Sequence, residues 1–263
     1  SSPSLSYGGL RVSPKNINKL LFLTSVATPY IRRLLTSGLE KVFCIIKNTR
    51  DDTSDSTHYP EFESMNLGWA YSNYHEMMGL LERMFMHVAD VVKSSYPSFS
   101  NPNLDKLRSI WDRISFLSAA ERLGITLGAD TDDATKLISI LEEKIVPTLS
   151  KPTFLIEYPL ELFGPAKSIG ESFKERAELF VDGIEIGNIS TFENDPAQLE
   201  EWYKRRMKSN ILTFSGYEND QAHFEAICYG LPPCSTGAIG LTRAYMLLLG
   251  QKDIKEVIPL SWI

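Results

Sequence analysis

The chain has 263 residues, enough for one large mixed domain or two small ones. Apolar residues make up 43%, an ordinary share that supports a sizeable core, and a net charge of −6 excludes a surface built throughout for nucleic acid. Three cysteines without metal-ligand spacing speak for a reducing compartment, the cytoplasm, and against a disulfide framework; no apolar run reaches membrane-spanning length and no signal peptide is visible.

The opening residues, Ser1 to Asn16, are polar and loop-like. Asn18 to Leu39 reads as a strand entering a helix, with Gly38 near the helix end. Lys41 to Ile46 is dense in β-branched and aromatic residues and is expected to be a buried strand. A polar loop rich in Asp, Ser and Thr, Lys47 to Pro60, separates it from a second strand, Glu61 to Tyr71, so the pair reads as a hairpin. Asn73 to Lys93 repeats apolar residues at three-to-four spacing (Met77, Leu80, Leu81, Met84, Phe85, Val88) and is the clearest helix. His75 and His87 are out of phase on it, which argues against a shared metal site.

Residues from about 95 to 150 read as a helical insertion without evident chemistry, its last helix spanning Thr131 to Thr148. Thr153 to Pro159 is strand-like. Ala177 to Asn188 is a hairpin turning at Asp182-Gly183, a strong turn signal. Glu178 and Glu185 stand on its two strands; facing carboxylates repel unless a cation lies between them. Glu193-Asn194-Asp195-Pro196 then opens a polar helix through Met207, whose basic run Lys204 to Lys208 reads as a solvated face. Near the end, Gly230-Leu231-Pro232-Pro233 turns into a small-residue run, Ser235 to Gly240, which would let a ligand lie against backbone. Arg243 follows, a planar cation suited to phosphate, and leads into an apolar helix.

Three ordered stretches resemble class II aminoacyl-tRNA synthetases of the lysyl branch. Arg50-Asp51-Asp52 with His58-Tyr59-Pro60-Glu61-Phe62 resembles motif 2, and Gly230 to Arg243 resembles motif 3. Arg113-Ile114-Ser115-Phe116, Pro152-Thr153-Phe154 and Asn194-Asp195-Pro196 are similar to segments between them, so the likeness covers roughly Leu21 to Trp262. Cys234-Ser235 and Ala238 look more like the ligases that attach lysine to elongation factor P, which lack an anticodon-binding domain. Motif 1 is not visible.

The resemblance implies an α+β fold, the class II synthetase core with a mixed, mostly antiparallel sheet flanked by helices. It implies a single catalytic domain over residues 1–263, a homodimer, and ATP with Mg²⁺ as cofactors. Arg50 would hold the α-phosphate and the attacked carboxylate, and Asp52 would meet the adenine amino group. Phe62 would stack on adenine, His58 would lie near the β- and γ-phosphates, and Arg243 would bind the γ-phosphate. Glu178 and Glu185 would ligate Mg²⁺. Two family residues differ: an Arg is Thr57 here, and an Asp is Thr242.

The larger departures fall in the amino-acid pocket, matched here to Thr28, Asn66, Gly68, Asn188, Phe192 and Ala238. A lysyl enzyme holds two ammonium groups, and buried cations require carboxylate partners. The family's three acids are Thr28, Asn66 and Phe192 in this chain, and a tyrosine is Gly68. The expected activity is therefore ATP-dependent activation of a small carboxylic or amino acid other than lysine, followed by transfer to an amine or protein acceptor without tRNA. A lysine or β-lysine ligase acting on a protein, and a catalytically silent regulatory paralogue, are the alternatives.

Overall fold

A computed structural model describes residues 10–13, 15, 21–50, 54–128, 133–162, 164–208 and 221–259. Two short strands, β1 (Arg11–Val12) and β2 (Leu21–Phe22), pair ahead of helix α1 (Thr28–Thr36). Gly38 follows that helix at φ 99°, a left-handed position that favours glycine. Next come the hairpin of β3 (Lys41–Thr49) and β4 (Glu61–Ala70) and the long helix α2 (Tyr74–Ser95). Asn73 caps α2 by accepting from the backbone of His75 and Glu76, while the Glu76 carboxylate accepts from the backbone of Asn73.

Helix α3 (Pro102–Leu107), strand β5 (Asp112–Ser115), helix α4 (Phe116–Arg122) and helix α5 (Ala134–Ser139) follow. The last runs on through a π-helical stretch, Ile140–Ile145, and a 3₁₀ turn, Val146–Thr148. Strands β6 (Thr153–Pro159), β7 (Ser168–Ile169), β8 (Phe173–Val181) and β9 (Ile184–Thr191) come next. Helices α6 (Pro196–Lys208) and α7 (Gln221–Cys228) precede β10 (Cys234–Gly240) and α8 (Leu241–Leu249).

Apart from the β1–β2 pair, the strands form one sheet in the order β3-β4-β10-β9-β8-β6-β5, with β7 paired to β8. Every pairing is antiparallel except β5 with β6. The expected α+β architecture is thus present. Asp182 and Gly183 turn the β8–β9 hairpin at φ 51° and 74°, as a two-residue turn of matching twist requires. At Gly187 a side chain would come within 2.7 Å of the Ala238 carbonyl, so glycine permits the close approach of β9 to β10.

Helix α2 packs over β8, β9 and β10, and the main core lies beneath it, with Met77, Leu81, Phe85, Trp111, Phe154, Leu179 and Ile189 buried together. The opposite face is covered at one end by α1 and α7, through Ile31, Leu35, Phe192 and Ile227, and at the other by α4 and α5, through Phe116, Leu137, Leu155 and Tyr158. Between those covers the sheet lies open.

Two expectations are corrected. The strand from Lys41 is an edge strand and only one face is covered: Val42 and Cys44 pack against the α1 cluster, while Phe43 and Ile45 are 69% and 58% exposed. Composition cannot tell an edge from a centre. The insertion from about 95 to 150 is also not wholly helical, since β5 adds a parallel strand to the sheet. Among the described residues, no helix is long and apolar enough to cross a membrane.

Candidate active site

The open part of the sheet is the floor of a cavity of about 570 Å³. Nine of the expected residues line it: Arg50, His58, Phe62, Asn66, Glu178, Glu185, Asn188, Ala238 and Arg243. Strand alternation explains the grouping. Cross-strand pairs place Asn66 beside Ala238, Ala238 beside Asn188 and Asn188 beside Glu178, and paired side chains share a face.

Arg243 lies in the first turn of α8, just after β10. Its Nε donates to the Thr57 carbonyl at 3.0 Å and its Nη1 to the Glu185 carbonyl at 2.9 Å. Its Nη2 meets His58 Nε2 at 2.8 Å. Arginine has no acceptor, so His58 Nε2 must accept and the ring proton must sit on Nδ1. That nitrogen faces Asp55 at 2.9 Å. Burial pushes the Asp55 carboxyl up, but the Thr57 backbone amide, His58 and the Thr57 hydroxyl outweigh it and hold the acid at about 2. Thr57 and Thr242, the two departures from the family pattern, are both structural here. Thr57 supplies the carbonyl for Arg243, and the buried Thr242 hydroxyl accepts from the backbone of Glu63.

Arg50 closes the β3–β4 hairpin through its backbone amide, 2.9 Å from the Pro60 carbonyl, and its guanidinium stands 4.9 Å from the centre of the Phe62 ring. A flat cation beside an aromatic face can accept a planar base together with its phosphates.

The two glutamates differ from the simple facing pair. A register shift between Leu179 and Phe180 sets Glu185 opposite Phe180, and Glu178 opposite Asn188. Glu178 is buried, its Oε1 taking Arg176 Nη2 at 2.6 Å and its Oε2 taking the Tyr158 hydroxyl at 2.7 Å. Burial raises its pKa, Arg176 draws it back and Glu185 pushes it up, for a net rise. Burial first, then the negative Glu178, push the Tyr158 hydroxyl well above the ordinary tyrosine range. Glu185 is more open and lies 3.6 Å from Arg243 Nη1. Among the described residues no three metal-ligating side chains cluster. Magnesium needs only one or two carboxylates when phosphates and water complete its shell, so Glu185 fits an ion that arrives with a nucleotide, and Glu178 could join it only by giving up Arg176 or Tyr158.

Three expected pocket residues do not line the cavity. Thr28 begins α1, one turn away from Ser25 and Val26, which do line it. Gly68 lies under α1: an added Cβ would collide with Ile31 Cγ2. Phe192 is fully buried beneath the Arg32 guanidinium, 3.4 Å from its ring centre. Alternation puts these two on the correct face, but α1 covers them. Asp52 lies outside the described residues. Several residues were missed. Asn48 and Ser64 lie at two-residue intervals from Arg50 and Phe62, a signal that alternation could have supplied. Arg176, which grips Glu178 from two residues before it on β8, carried the same signal, whereas Tyr158 and the cavity-lining Ser25 did not; Leu141, Glu142 and Val146 bring the supposed inert insertion to the cavity wall.

An antiparallel sheet whose open face gathers two arginines, a histidine, an aromatic ring and two carboxylates defines a class II synthetase core. The family model for class II tRNA synthetases (D, K and N) matches residues 10–261, and the chain belongs to that family of ligases, on its lysyl branch. It is 31% identical to a lysine–tRNA ligase of Chloroflexus aurantiacus, over 96% of this chain and 57% of the relative. It is 32% identical to lysine–tRNA ligase 2 of Methanosarcina mazei, over 96% of this chain and 55% of that one. For a lysine–tRNA ligase of Staphylococcus aureus the values are 30%, 92% and 54%. The chain spans about half the length of these relatives.

Proposed function

We propose that the chain activates a small carboxylic or amino acid other than lysine with ATP, giving an acyl-adenylate, and passes the acyl group to an amine or protein acceptor without tRNA. The observation that supports this is a division within one cavity. The residues expected at the nucleotide, Arg50, His58, Phe62 and Arg243, line it together, whereas the positions matched to lysine-holding acids offer it only the Asn66 amide.

The substrate carboxylate attacks the α-phosphorus and pyrophosphate leaves. Arg50 holds the carboxylate beside the α-phosphate, and Phe62 lies under the base. Arg243 and His58 hold the phosphates at the far end. Mg²⁺, when bound, would neutralise phosphate charge, held by Glu185 and by Glu178 once it gives up Arg176 or Tyr158. This is positioning and electrostatics, with no protein nucleophile. Phe43 and Ile45, exposed on the edge strand, give a second copy an apolar surface and support a homodimer. The reading places the protein in the cytoplasm.

A silent paralogue is the second reading, favoured by the capture of Glu178 by Arg176 and Tyr158. Acid-dependent exchange of labelled pyrophosphate into ATP separates the two. Activity is expected with at least one non-lysine acid, abolished in Arg50→Ala and Arg243→Ala. Exchange that survives both substitutions refutes the site, ATP binding without exchange favours the silent reading, and exchange driven best by lysine supports a protein-lysine ligase.

A further inference from the structure

We infer that the closed end of this cavity selects a short carboxylic acid whose tail ends in an uncharged hydrogen-bonding group, an amide or a hydroxyl, and rejects ammonium tails. The inference deepens the adenylation reading and relies on it only for where the carboxylate lies.

The end wall is a single row across four strands: Asn66, Ala238, Asn188 and Glu178. The first three are neutral. The fourth has both oxygens engaged, one by Arg176 and one by Tyr158. An ammonium delivered to this row would lose its water and meet no unengaged carboxylate within it; Glu185, whose Oε1 lies 3.5 Å from Asn188 Nδ2, is shared with Arg243 at 3.6 Å. The row also ends the cavity. Ile31 rests on Gly68 one step further along β4, and Arg32 on Phe192 two steps further along from Asn188, so a long tail has nowhere to go.

The polar groups that remain suit a neutral partner. Asn48 Nδ2 and Asn66 Nδ2 both donate to Ser64 Oγ, at 2.6 and 2.8 Å. Ser64 thus accepts twice and keeps its own proton to give. Among the described residues, no protein donor reaches the amide oxygens of Asn48 and Asn66. Ser25 adds an independent observation. It lines the same cavity, is 1% exposed, and its hydroxyl has no partner among the described residues. A buried hydroxyl left unpaired is costly and rare, and a ligand carrying both donor and acceptor would satisfy it together with the asparagine oxygens.

Binding calorimetry, with a non-hydrolysable ATP analogue present, tests this on the wild type and on Ser25→Ala and Asn66→Leu. The probes are succinamic acid, 4-hydroxybutanoic acid, pentanoic acid, 5-aminopentanoic acid and lysine. Succinamic or 4-hydroxybutanoic acid is expected to bind at least about tenfold tighter than pentanoic acid or either amine, the gain from one ordinary hydrogen bond. Ser25→Ala, which removes an unpartnered hydroxyl, should fold normally and shrink that ratio towards one, as should Asn66→Leu. Preference for an amine or for pentanoic acid, a ratio unchanged in both variants, or no binding by any probe overturns the inference. Pyrophosphate exchange on the same panel separates the two readings. Selective binding without exchange upholds the selection and removes adenylation, and exchange with pentanoic acid alone does the reverse.

Discussion

Removing Arg176 isolates the electrostatics of the cavity floor. Arg176 and Glu178 are 8% and 3% exposed, and their contact is 2.6 Å. Breaking a buried pair by deleting one partner costs about 3–5 kcal/mol, because the other charge stays buried. Protonation caps that cost. Glu178 has an ordinary value of 4.5, and each pH unit above it adds at most about 1.4 kcal/mol before the acid takes up a proton instead. In Arg176→Met the folded-state pKa of Glu178 rises further above its unfolded value. Its contribution is then intact below the unfolded pKa and lost as pH climbs towards the raised one. The charge-dependent loss should be at most about 1.4 kcal/mol at pH 5.5 and about 3–5 kcal/mol at pH 8. Urea unfolding at the two pH values measures it, and Glu178→Gln added to Arg176→Met should recover most of the difference. A loss of equal size at both pH values, or under about 1 kcal/mol at pH 8, would show that the pair does not bear the charge as described.

Gly68→Ala should cost about 1–3 kcal/mol, because the new methyl meets Ile31 and lies 3.2 Å from both Leu35 and Val42 in a filled cluster. Thermal unfolding reads the loss, and an unchanged melting temperature would mean that α1 does not sit on β4. Asp55, held at about 2, adds stability above the ordinary carboxylate range that is lost as pH falls towards 2. Its side chain is half exposed, so solvent screening limits the effect to about 1 kcal/mol or less. The gap in urea midpoint between wild type and Asp55→Asn should therefore narrow below about pH 4; a constant gap from pH 6 to pH 3 contradicts the pairing with His58.

Much of the fold is legible because local signals agree with tertiary context. The Asp182-Gly183 turn, the capped helix after Asn73 and the strand at Thr153 all fall where sequence places them. Each is specified within a few residues. The status of β3 as an edge is not, since it depends on which elements lie beside it. Strand β5 fails for the same reason: Asp112–Ser115 is short and polar at three of its four positions, and only pairing with β6 makes it a strand.

The site divides along the same line. Alternation along a strand fixes which face a side chain takes, so Asn66 and Gly68 share a face, as do Asn188 and Phe192. What alternation cannot fix is how far the cavity extends across that face. That limit is set by α1, whose Ile31 and Arg32 settle on Gly68 and Phe192. The tyrosine that the resemblance places at position 68 could not coexist with this helix position, because even one methyl collides there. The small residue and the helix above it are therefore one change and not two. The shortened pocket follows from packing as much as from the lost acids, so restoring a carboxylate at position 66 alone would leave no room for a lysine to reach past it.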